Sequence, residues 1–151
     1  MVSGRNVSVS YLSRSRRPAR VERTVAALLL GGITGFQVAL AAGAPAGRLA
    51  WGGSHDGTLP DGLRAASGVA AVVWGAATVA VAAELPRPVA GQRLVLRGVG
   101  AVCAAGAVLN VISPSPAERA LWAPVSAAVA VLTWRTARTL AVTDGSADRA
   151  A

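Results

Sequence analysis

Four long apolar runs, separated by short polar segments, make up most of the chain. Residues 24–47, 65–83 and 98–117 contain no charged side chain. A helix that crosses the hydrocarbon core of a bilayer needs about 20 consecutive apolar residues, whereas a helix of a soluble bundle carries polar residues along one face. The pattern therefore predicts an all-α fold, a four-helix transmembrane bundle with helices at about 24–44, 62–84, 94–112 and 116–134.

The connections between these runs contain residues that begin and end helices. Residues 45–61 are rich in Gly and Pro, and residues 84–93 contain two prolines, which stop a helix. Ser115 is followed by Pro116 and Glu118, which is the spacing of a capping box. We therefore expect Ser115 to cap the fourth helix, Pro116 to take its first position, and Glu118 to close the box.

The two ends of the chain are polar and flank a four-span membrane domain at 24–134. Residues 1–23 contain six Arg and several Ser, so we expect a basic cytoplasmic tail that is mostly disordered. Residues 135–151 form a second cytoplasmic tail. A secretory signal peptide is the alternative for the first run, since residues 42–44 resemble a cleavage site. The long basic leader and the three later apolar runs favour a span instead.

The distribution of Arg predicts which way the bundle faces. All fifteen basic residues are Arg: six lie in the N-terminal tail, three in 84–97 and three in the C-terminal tail, against Arg48, Arg64 and Arg119 elsewhere. Cytoplasmic segments carry the excess of positive charge. The helices are therefore expected to run up-down-up-down, with both termini cytoplasmic and the 45–61 loop outside. The richness in Ala, Gly, Val and Arg is typical of a GC-rich bacterial genome and favours a bacterial plasma (inner) membrane.

Composition narrows the classes of function. Hydrophobic residues make up 53% and charged residues 15% of the chain, whereas soluble domains have about 25% charged residues. The net charge of +8 could indicate nucleic-acid binding, but the Arg residues flank apolar runs and aromatic residues are few. We therefore expect a lipid bilayer with anionic headgroups as the partner, and no nucleic acid. With one Cys and one His, no cofactor or metal site is expected.

Small residues recur at helical spacing within the runs. Close backbone approach and interhelical hydrogen bonds hold helices together in lipid, because apolar burial alone gives little. The candidate packing residues are Gly31 and Gly35, Gly68 and Gly75, and Gly98 and Gly106. Packing within one bundle is the more frequent use of such residues. A seam for a homo-oligomer or another membrane protein is the alternative.

Two polar side chains, Gln37 and Asn110, lie within the runs toward the expected outer end. Each can bond across helices, contributing on the order of 1 kcal/mol. A polar path for a solute is the alternative interpretation. No run has a central charged residue, and this argues against a proton-driven exporter, which needs a carboxylate as its proton carrier. Trp74, in the middle of the second run, is expected to pack inside the bundle.

The most distinctive segment joins the first two helices. Residues 50–64 read AWGGSHDGTLPDGLR. This string, as AWGGxHxGxLPxxLR, resembles a motif in a family of small bacterial membrane proteins with four predicted spans. The similarity is best over the first two helices and their loop, and elsewhere it is mainly one of hydropathy. The resemblance implies a four-span fold and carries no activity that can be transferred to this chain.

Five side chains give this loop its chemistry: Trp51, His55, Asp56, Asp61 and Arg64. Neighbouring glycines permit tight turns with positive φ, so the loop can fold back over the bundle. The favoured interpretation is an ordered loop, with Asp61 and Arg64 stabilising the start of the second helix. An acid–base pair or weak metal site made by His55 and a carboxylate is the less favoured alternative.

Three classes of function remain. The first is a non-enzymatic membrane component that binds or organises partners, and the second is a small-solute transporter or channel subunit acting as an oligomer. The third, a membrane enzyme using the 45–61 loop, has few catalytic groups. A water-filled cavity reaching Gln37 and Asn110 would favour transport, and a dry bundle with an exposed glycine seam would favour a partner. His55 bonded to a carboxylate in a pocket would favour an enzyme.

Overall fold

The computed structural model describes residues 4–83 and 88–147, with side chains at 19–83 and 88–142. The described chain is all-α, as predicted. Its four helices are α1 (Gly4–Ala41), α2 (Asp61–Ala82), α3 (Val89–Val111) and α4 (Pro116–Ala147). Two short 3-10 turns, Gly47–Leu49 and Trp51–Gly53, lie in the 45–61 loop. Three helical stretches are long and apolar enough to cross a membrane, with a mean hydropathy of 1.8: Ala19–Ala41, Asp61–Ala82 and Val89–Val111.

The helices form two hairpins that join through α1 and α4. The main contacts are between α1 and α2, between α3 and α4, and between α1 and α4, while α2 and α3 barely touch. Neighbouring helices run antiparallel, because Arg23 of α1 bonds to Val81 near the end of α2, and Glu22 pairs with Arg135 of α4 at 2.8 Å. The order across the bundle is therefore α2, α1, α4, α3.

The inside of the bundle is apolar, and so is much of its outside. Leu30, Val81 and Leu96 are among the fully or almost fully buried side chains of the core. Many large apolar side chains point outward, including Leu28, Val69, Val72, Leu94, Val108, Leu109, Ile112, Val131 and Val142. Contiguous apolar faces of this kind are rare on soluble monomers. Together with the three long apolar helices, they identify a helical membrane protein.

Two Arg side chains satisfy the carbonyl groups that end the helices of the first hairpin. Arg23 donates from Nε to Val81 O at 2.6 Å and from Nη2 to Ala83 O at 3.0 Å. Arg64 donates from Nε to Ala41 O at 3.2 Å. The last carbonyls of a helix have no partner within the helix, and a cation there interacts well with the helix dipole. Each helix of the hairpin is thus capped by an Arg of the other.

The helix bounds differ from the expected ones at both ends of the chain. α1 already begins at Gly4 and is 38 residues long, so it includes most of the tail that we expected to be disordered. α4 is 32 residues long and continues to Ala147. Extending an existing helix adds one hydrogen bond per residue fixed, whereas starting a new one is costly. The polar flanks therefore continue helices that the apolar runs have already formed.

The second helix begins at Asp61, one residue before the expected start at 62. Asp61 is its first residue, and Pro60 occupies the capping position without a side-chain hydrogen bond. The Asp61 carboxylate lies 3.4 Å from Arg64 Nη1 and is almost fully exposed. A carboxylate in the first turn still interacts favourably with the dipole, so Asp61 and Arg64 remain at the start of the helix as expected, with Arg64 also reaching α1.

Four of the six predicted packing glycines face a neighbouring helix. A Cβ at each would be in ordinary contact with Thr78 (3.9 Å from Gly31), Ala41 (3.9 Å from Gly68), Thr34 (3.6 Å from Gly75) or Ser126 (3.8 Å from Gly106). The hydroxyls of Thr34 and Thr78 also meet across α1 and α2 at 3.2 Å. These four glycines therefore lie on the packed faces of the two hairpins, and each has room for a Cβ.

The other two predicted glycines, Gly35 and Gly98, are exposed, and a Cβ at either would meet nothing within 4 Å. The closest approach in α3 is instead at Gly100, where a Cβ would lie 2.8 Å from Thr133 Oγ1 and 3.5 Å from Ala130 O. The buried face of α3 contains Leu96, Gly100 and Cys103, which follow the helical spacing of four and three residues. Gly98 lies about half a turn away from that face.

Candidate functional site

The 45–61 loop folds over one end of the bundle through three consecutive residues with positive φ. These are Trp51 at 55°, Gly52 at 80° and Gly53 at 67°. A bulky side chain in this region is uncommon and costs on the order of 1 kcal/mol or more. The turn directs the Trp51 indole toward α2, where Nε1 donates to Ser67 Oγ at 3.1 Å. This bond fixes the loop against the first hairpin.

A second set of bonds fixes the loop to the start of α4. Ser115 Oγ accepts from the backbone N–H of Glu118 at 3.2 Å and donates to Arg48 O at 2.9 Å. The predicted roles of Ser115 as the cap and of Pro116 as the first helical residue are therefore confirmed. Ser115 also connects α4 to the loop, which the sequence pattern did not indicate.

Glu118 departs from the capping box. Its Oε2 accepts from the backbone N–H of Gly52 at 3.1 Å and from the Ser113 hydroxyl, whereas the N–H of Ser115 bonds to Ser113 Oγ at 3.3 Å. The expectation that Glu118 bonds back to Ser115 is wrong, because the folded loop presents another donor to the carboxylate. The result is a direct bond between α4 and the loop.

Trp122 lies beneath the same loop. Its Nε1 donates to Leu49 O at 2.7 Å, and its ring lies 4.7 Å from that of Phe36 at an interplanar angle of 51°. This is a typical distance and tilt for a stabilising aromatic pair. The two rings bring α1, α4 and the loop together.

The loop leaves little space at two of its glycines. A Cβ at Gly47 would lie 2.6 Å from His55 O, and one at Gly53 would lie 2.5 Å from Ser115 Oγ. Since real Cβ atoms do not approach so closely, a larger residue at either position must displace backbone or the helix cap. The path of the loop over the bundle therefore requires glycine at these positions.

Below the loop is a cavity of about 250 Å³. All four helices and the loop contribute to its walls. The lining residues are Ile33, Phe36, Gln37, Leu49, Ala50, Trp51, Trp74, Cys103, Gly106, Asn110, Glu118, Trp122 and Ser126. A concave, mainly apolar site with a few polar groups is typical of small-molecule binding sites. It is the candidate functional site of this chain.

The two predicted intramembrane polar residues meet at this cavity. Asn110 donates from Nδ2 to Ser126 Oγ of α4 at 3.4 Å. The buried Oε1 of Gln37 has no hydrogen-bond partner among the described residues. A buried acceptor without a partner costs about 1–3 kcal/mol. A ligand that donates a hydrogen bond would offset this cost.

Glu118 brings a negative charge to the cavity wall. The residue is only 9% exposed, and the donors to its carboxylate are neutral. In the described part of the chain, Arg48 pairs with Asp56, Arg64 with Asp61 and Arg135 with Glu22. No ion pair involves Glu118 there, and its neighbour Arg119 donates instead to Ser113 O at 2.8 Å.

The five predicted loop residues do not converge on one site. Arg48 forms an exposed ion pair with Asp56, and this hydrogen bond and charge lower the pKa of the Asp56 carboxyl from its usual range. His55 is bonded through Nδ1 to Ser54 Oγ at 3.1 Å. Of the five predicted loop residues, only Trp51 lines the cavity. Among the described residues, no three His, Cys, Asp or Glu side chains form a group that could hold a metal ion.

Beyond the cavity, the interior is filled by apolar side chains such as Ala26, Leu30 and Val129. The buried polar side chains in that part of α4 are Thr133 and Thr136, and their hydroxyls donate to carbonyls of their own helix. The hydroxyls of Thr34 and Thr78, outside the cavity lining, likewise bond to each other and to carbonyls of their own helices. The described residues therefore provide a polar lining near the loop but few free polar groups that would continue it toward the Glu22–Arg135 end.

No family model matches the chain, and no curated protein or solved structure shows significant similarity to it. The resemblance of residues 50–64 to a family of four-span bacterial membrane proteins therefore stays a prediction. Sequence reasoning placed Gln37, Asn110 and Trp51 near the same end of the bundle but missed the part of Glu118 and Trp122 in the cavity. Glu118 was explained by its local role in the helix cap, and the sequence pattern around Trp122 did not indicate a site.

Proposed function

We propose that this chain is a four-span membrane protein that binds a small, mainly apolar solute and is not an enzyme. The observation that carries this proposal is the 250 Å³ cavity, with aromatic walls and a few polar groups, below a well-bonded loop. Its volume lies just under the usual range for sites of drug-sized ligands. A molecule of fewer atoms than a typical drug is therefore the natural occupant.

The proposal includes α4 as the fourth span, in an up-down-up-down arrangement. α4 packs along α3 and exposes Val131 and Trp134. Its polar Thr133 and Thr136 donate to carbonyls of their own helix, so they can lie in hydrocarbon at reduced cost. These features support α4 as a span whose stability in the membrane depends on packing against its neighbours more than on its own hydropathy.

The proposed orientation places the cavity on the outer side of a bacterial inner membrane and both termini in the cytoplasm. The excess of Arg at the opposite end supports it. There Glu22 and Arg135 join α1 to α4, and further Arg residues can meet anionic headgroups. Reporter fusions test the orientation: one after Ala151 should read cytoplasmic and one near Gly57 external, and the reverse pattern would contradict it.

A role without catalysis is supported by the placement of the reactive groups. His55 lies outside the lining of the cavity and bonds to Ser54. The lining includes one carboxylate and one thiol, Glu118 and Cys103, and Glu118 is bonded to the loop. Nucleophilic or acid–base catalysis needs a nucleophile and base within hydrogen-bond reach. The Ser113 hydroxyl that donates to Glu118 is not part of the described lining of the cavity.

A small-solute transporter subunit, acting as an oligomer, is the second candidate. The observation in its favour is that both Gln37 and Asn110 line the cavity. The apolar core beyond the cavity favours binding without passage, since a permeating polar solute would need a continued polar path. Counterflow of a bound solute into proteoliposomes distinguishes binding alone from transport. Uptake above that of protein-free vesicles would favour transport.

Filling the cavity tests the binding proposal. Gly106 lines the cavity and has room for a Cβ, so Gly106→Leu should occupy it. Gly98→Leu, on the exposed side of the same helix, is the matched control. The probes are choline and small neutral alcohols, including cyclohexanol and 3,3-dimethyl-1-butanol, added to the detergent-solubilised chain.

At 100 times its Kd, a bound probe should raise Tm on the order of 5 °C through mass action. We expect a saturable rise in the natural chain and in the Gly98→Leu variant, and none in the Gly106→Leu variant. If no probe gives a saturable rise, or if the rise survives filling of the cavity, the binding proposal is wrong.

A further inference from the structure

We propose that the cavity selects a small organic cation, a protonated or quaternary amine with apolar substituents. This inference rests on the proposed function and goes further by naming the class of ligand. Three independent features of the cavity wall carry it: a carboxylate without a cationic partner, three indole rings, and an amide oxygen without a hydrogen-bond donor.

The carboxylate of Glu118 is the first feature. It lines the cavity, is 9% exposed, and takes part in no ion pair within the described chain. A buried charge is costly unless it is paired, and the two neutral donors from Gly52 and Ser113 satisfy only part of its hydrogen-bonding capacity. A cation in the cavity would supply the missing charge.

The indole rings of Trp51, Trp74 and Trp122 are the second feature. All three line the cavity. The N–H groups of Trp51 and Trp122 already donate to Ser67 and to Leu49 O, so what these two residues add to the cavity wall is aromatic surface and not a hydrogen-bond donor. Trp is the strongest partner of the aromatic residues for a cation.

The unpartnered Oε1 of Gln37 is the third feature. Together with the Glu118 carboxylate it makes the polar part of the cavity rich in acceptors. An anionic ligand would need donors, but no Arg of the described chain lines the cavity, and the amide N–H of Asn110 already bonds to Ser126. A neutral alcohol could satisfy Gln37 but would leave Glu118 without a countercharge.

A pair of probes of nearly equal shape tests the charge preference. Choline carries a quaternary ammonium, and 3,3-dimethyl-1-butanol replaces its nitrogen by carbon. Binding is measured for the full, detergent-solubilised chain by titration calorimetry and by intrinsic Trp fluorescence. We expect choline to bind at least tenfold more tightly than the alcohol.

The Glu118→Gln variant tests the origin of this preference. Gln keeps an acceptor oxygen for the Gly52 N–H and Ser113 hydroxyl, so the loop should remain folded, and an unchanged Trp emission spectrum and Tm verify this. We expect choline to lose at least tenfold in affinity and the alcohol less than threefold. Glu22→Gln is the matched control, because Glu22 is a partly buried carboxylate at the opposite end of the bundle.

The Trp74→Leu variant removes one π surface without changing charge. We expect it to weaken choline several-fold more than the alcohol, as cation–π attraction requires. If the alcohol binds as tightly as choline, or if the preference persists in Glu118→Gln, the cation inference is wrong while the binding function stands. If neither choline nor any neutral alcohol binds, both proposals are wrong.

Discussion

Replacing Gly100 by Ala would place a methyl group where α3 and α4 come closest. The new Cβ would lie 2.8 Å from Thr133 Oγ1 and 3.5 Å from Ala130 O, so one helix must move or Thr133 must change rotamer. Overpacking of this kind costs about 1–3 kcal/mol. The higher helix propensity of Ala offsets up to about 1 kcal/mol. We therefore expect Gly100→Ala to lower the free energy of unfolding by about 1–2 kcal/mol.

A double-mutant cycle isolates the contact. Thr133→Ala removes the Oγ1 that the new methyl group would meet, so Gly100→Ala should cost little in that background, and the coupling energy should be at least 1 kcal/mol. Gly98→Ala, two positions along the same helix and free of neighbours within 4 Å, should be neutral or slightly stabilising.

Unfolding in mixed micelles of dodecylmaltoside and sodium dodecyl sulfate, followed by far-UV circular dichroism, measures these free energies. The reasoning is refuted if Gly100→Ala and Gly98→Ala have equal effects, or if Thr133→Ala brings no recovery. Either result would mean that the close approach of α3 and α4 is not at Gly100.

Further predictions concern the loop and the helix ends. Gly53→Ala should lower Tm by several degrees and weaken probe binding, because its Cβ would meet Ser115 at 2.5 Å. The control is Gly57→Ala, which has positive φ but no neighbour within 4 Å and should cost only the backbone strain of about 1 kcal/mol. Equal losses of stability in the two variants would contradict the described path of the loop. Arg64→Met should lower the free energy of unfolding by about 0.5–1 kcal/mol, because the interaction of Arg64 with the last carbonyls of α1 is lost. An unchanged midpoint of the unfolding transition in mixed micelles would contradict this. Since the pKa of Asp56 is lowered in the folded loop, its pair with Arg48 contributes stability above about pH 4, which is lost as the pH falls through the folded-state pKa. Below pH 4, the Asp56→Asn variant should therefore lose less stability than the natural chain, and a parallel decline of the two would exclude that role.

The class of fold could be read from the sequence because it depends on charge-free runs of sufficient length. Three of the four predicted helices are long and apolar enough to span a membrane. The fourth, α4, has the charged Glu118 and Arg119 in its first turn, which lower its hydropathy. Further along the helix, the hydroxyls of Thr133 and Thr136 bond to carbonyls of the same helix. Such local satisfaction of polar groups can be seen only once the helix and its neighbours are in place.

The details of packing and of the site were less predictable, for a common physical reason. Spacing alone gave Gly98 and Gly106 equal weight, but the face of α3 that meets α4 depends on which residues the partner helix presents. Glu118 was assigned to its own helix end, whereas its donor Gly52 lies 66 residues earlier in the chain. Local patterns specify helices and caps, and contacts over long sequence separations decide where the cavity forms.

The most direct test of a ligand cavity beneath the 45–61 loop is a set of intermolecular nuclear Overhauser effects. Choline and 3,3-dimethyl-1-butanol each provide an intense methyl signal, and the detergent-solubilised chain has few indole rings. We predict contacts from the bound methyl groups to the ring protons of Trp74 and Trp122, which line the cavity, and none to the exposed Trp134. Contacts confined to Trp134, or the absence of any saturable contact with both probes, would contradict the account.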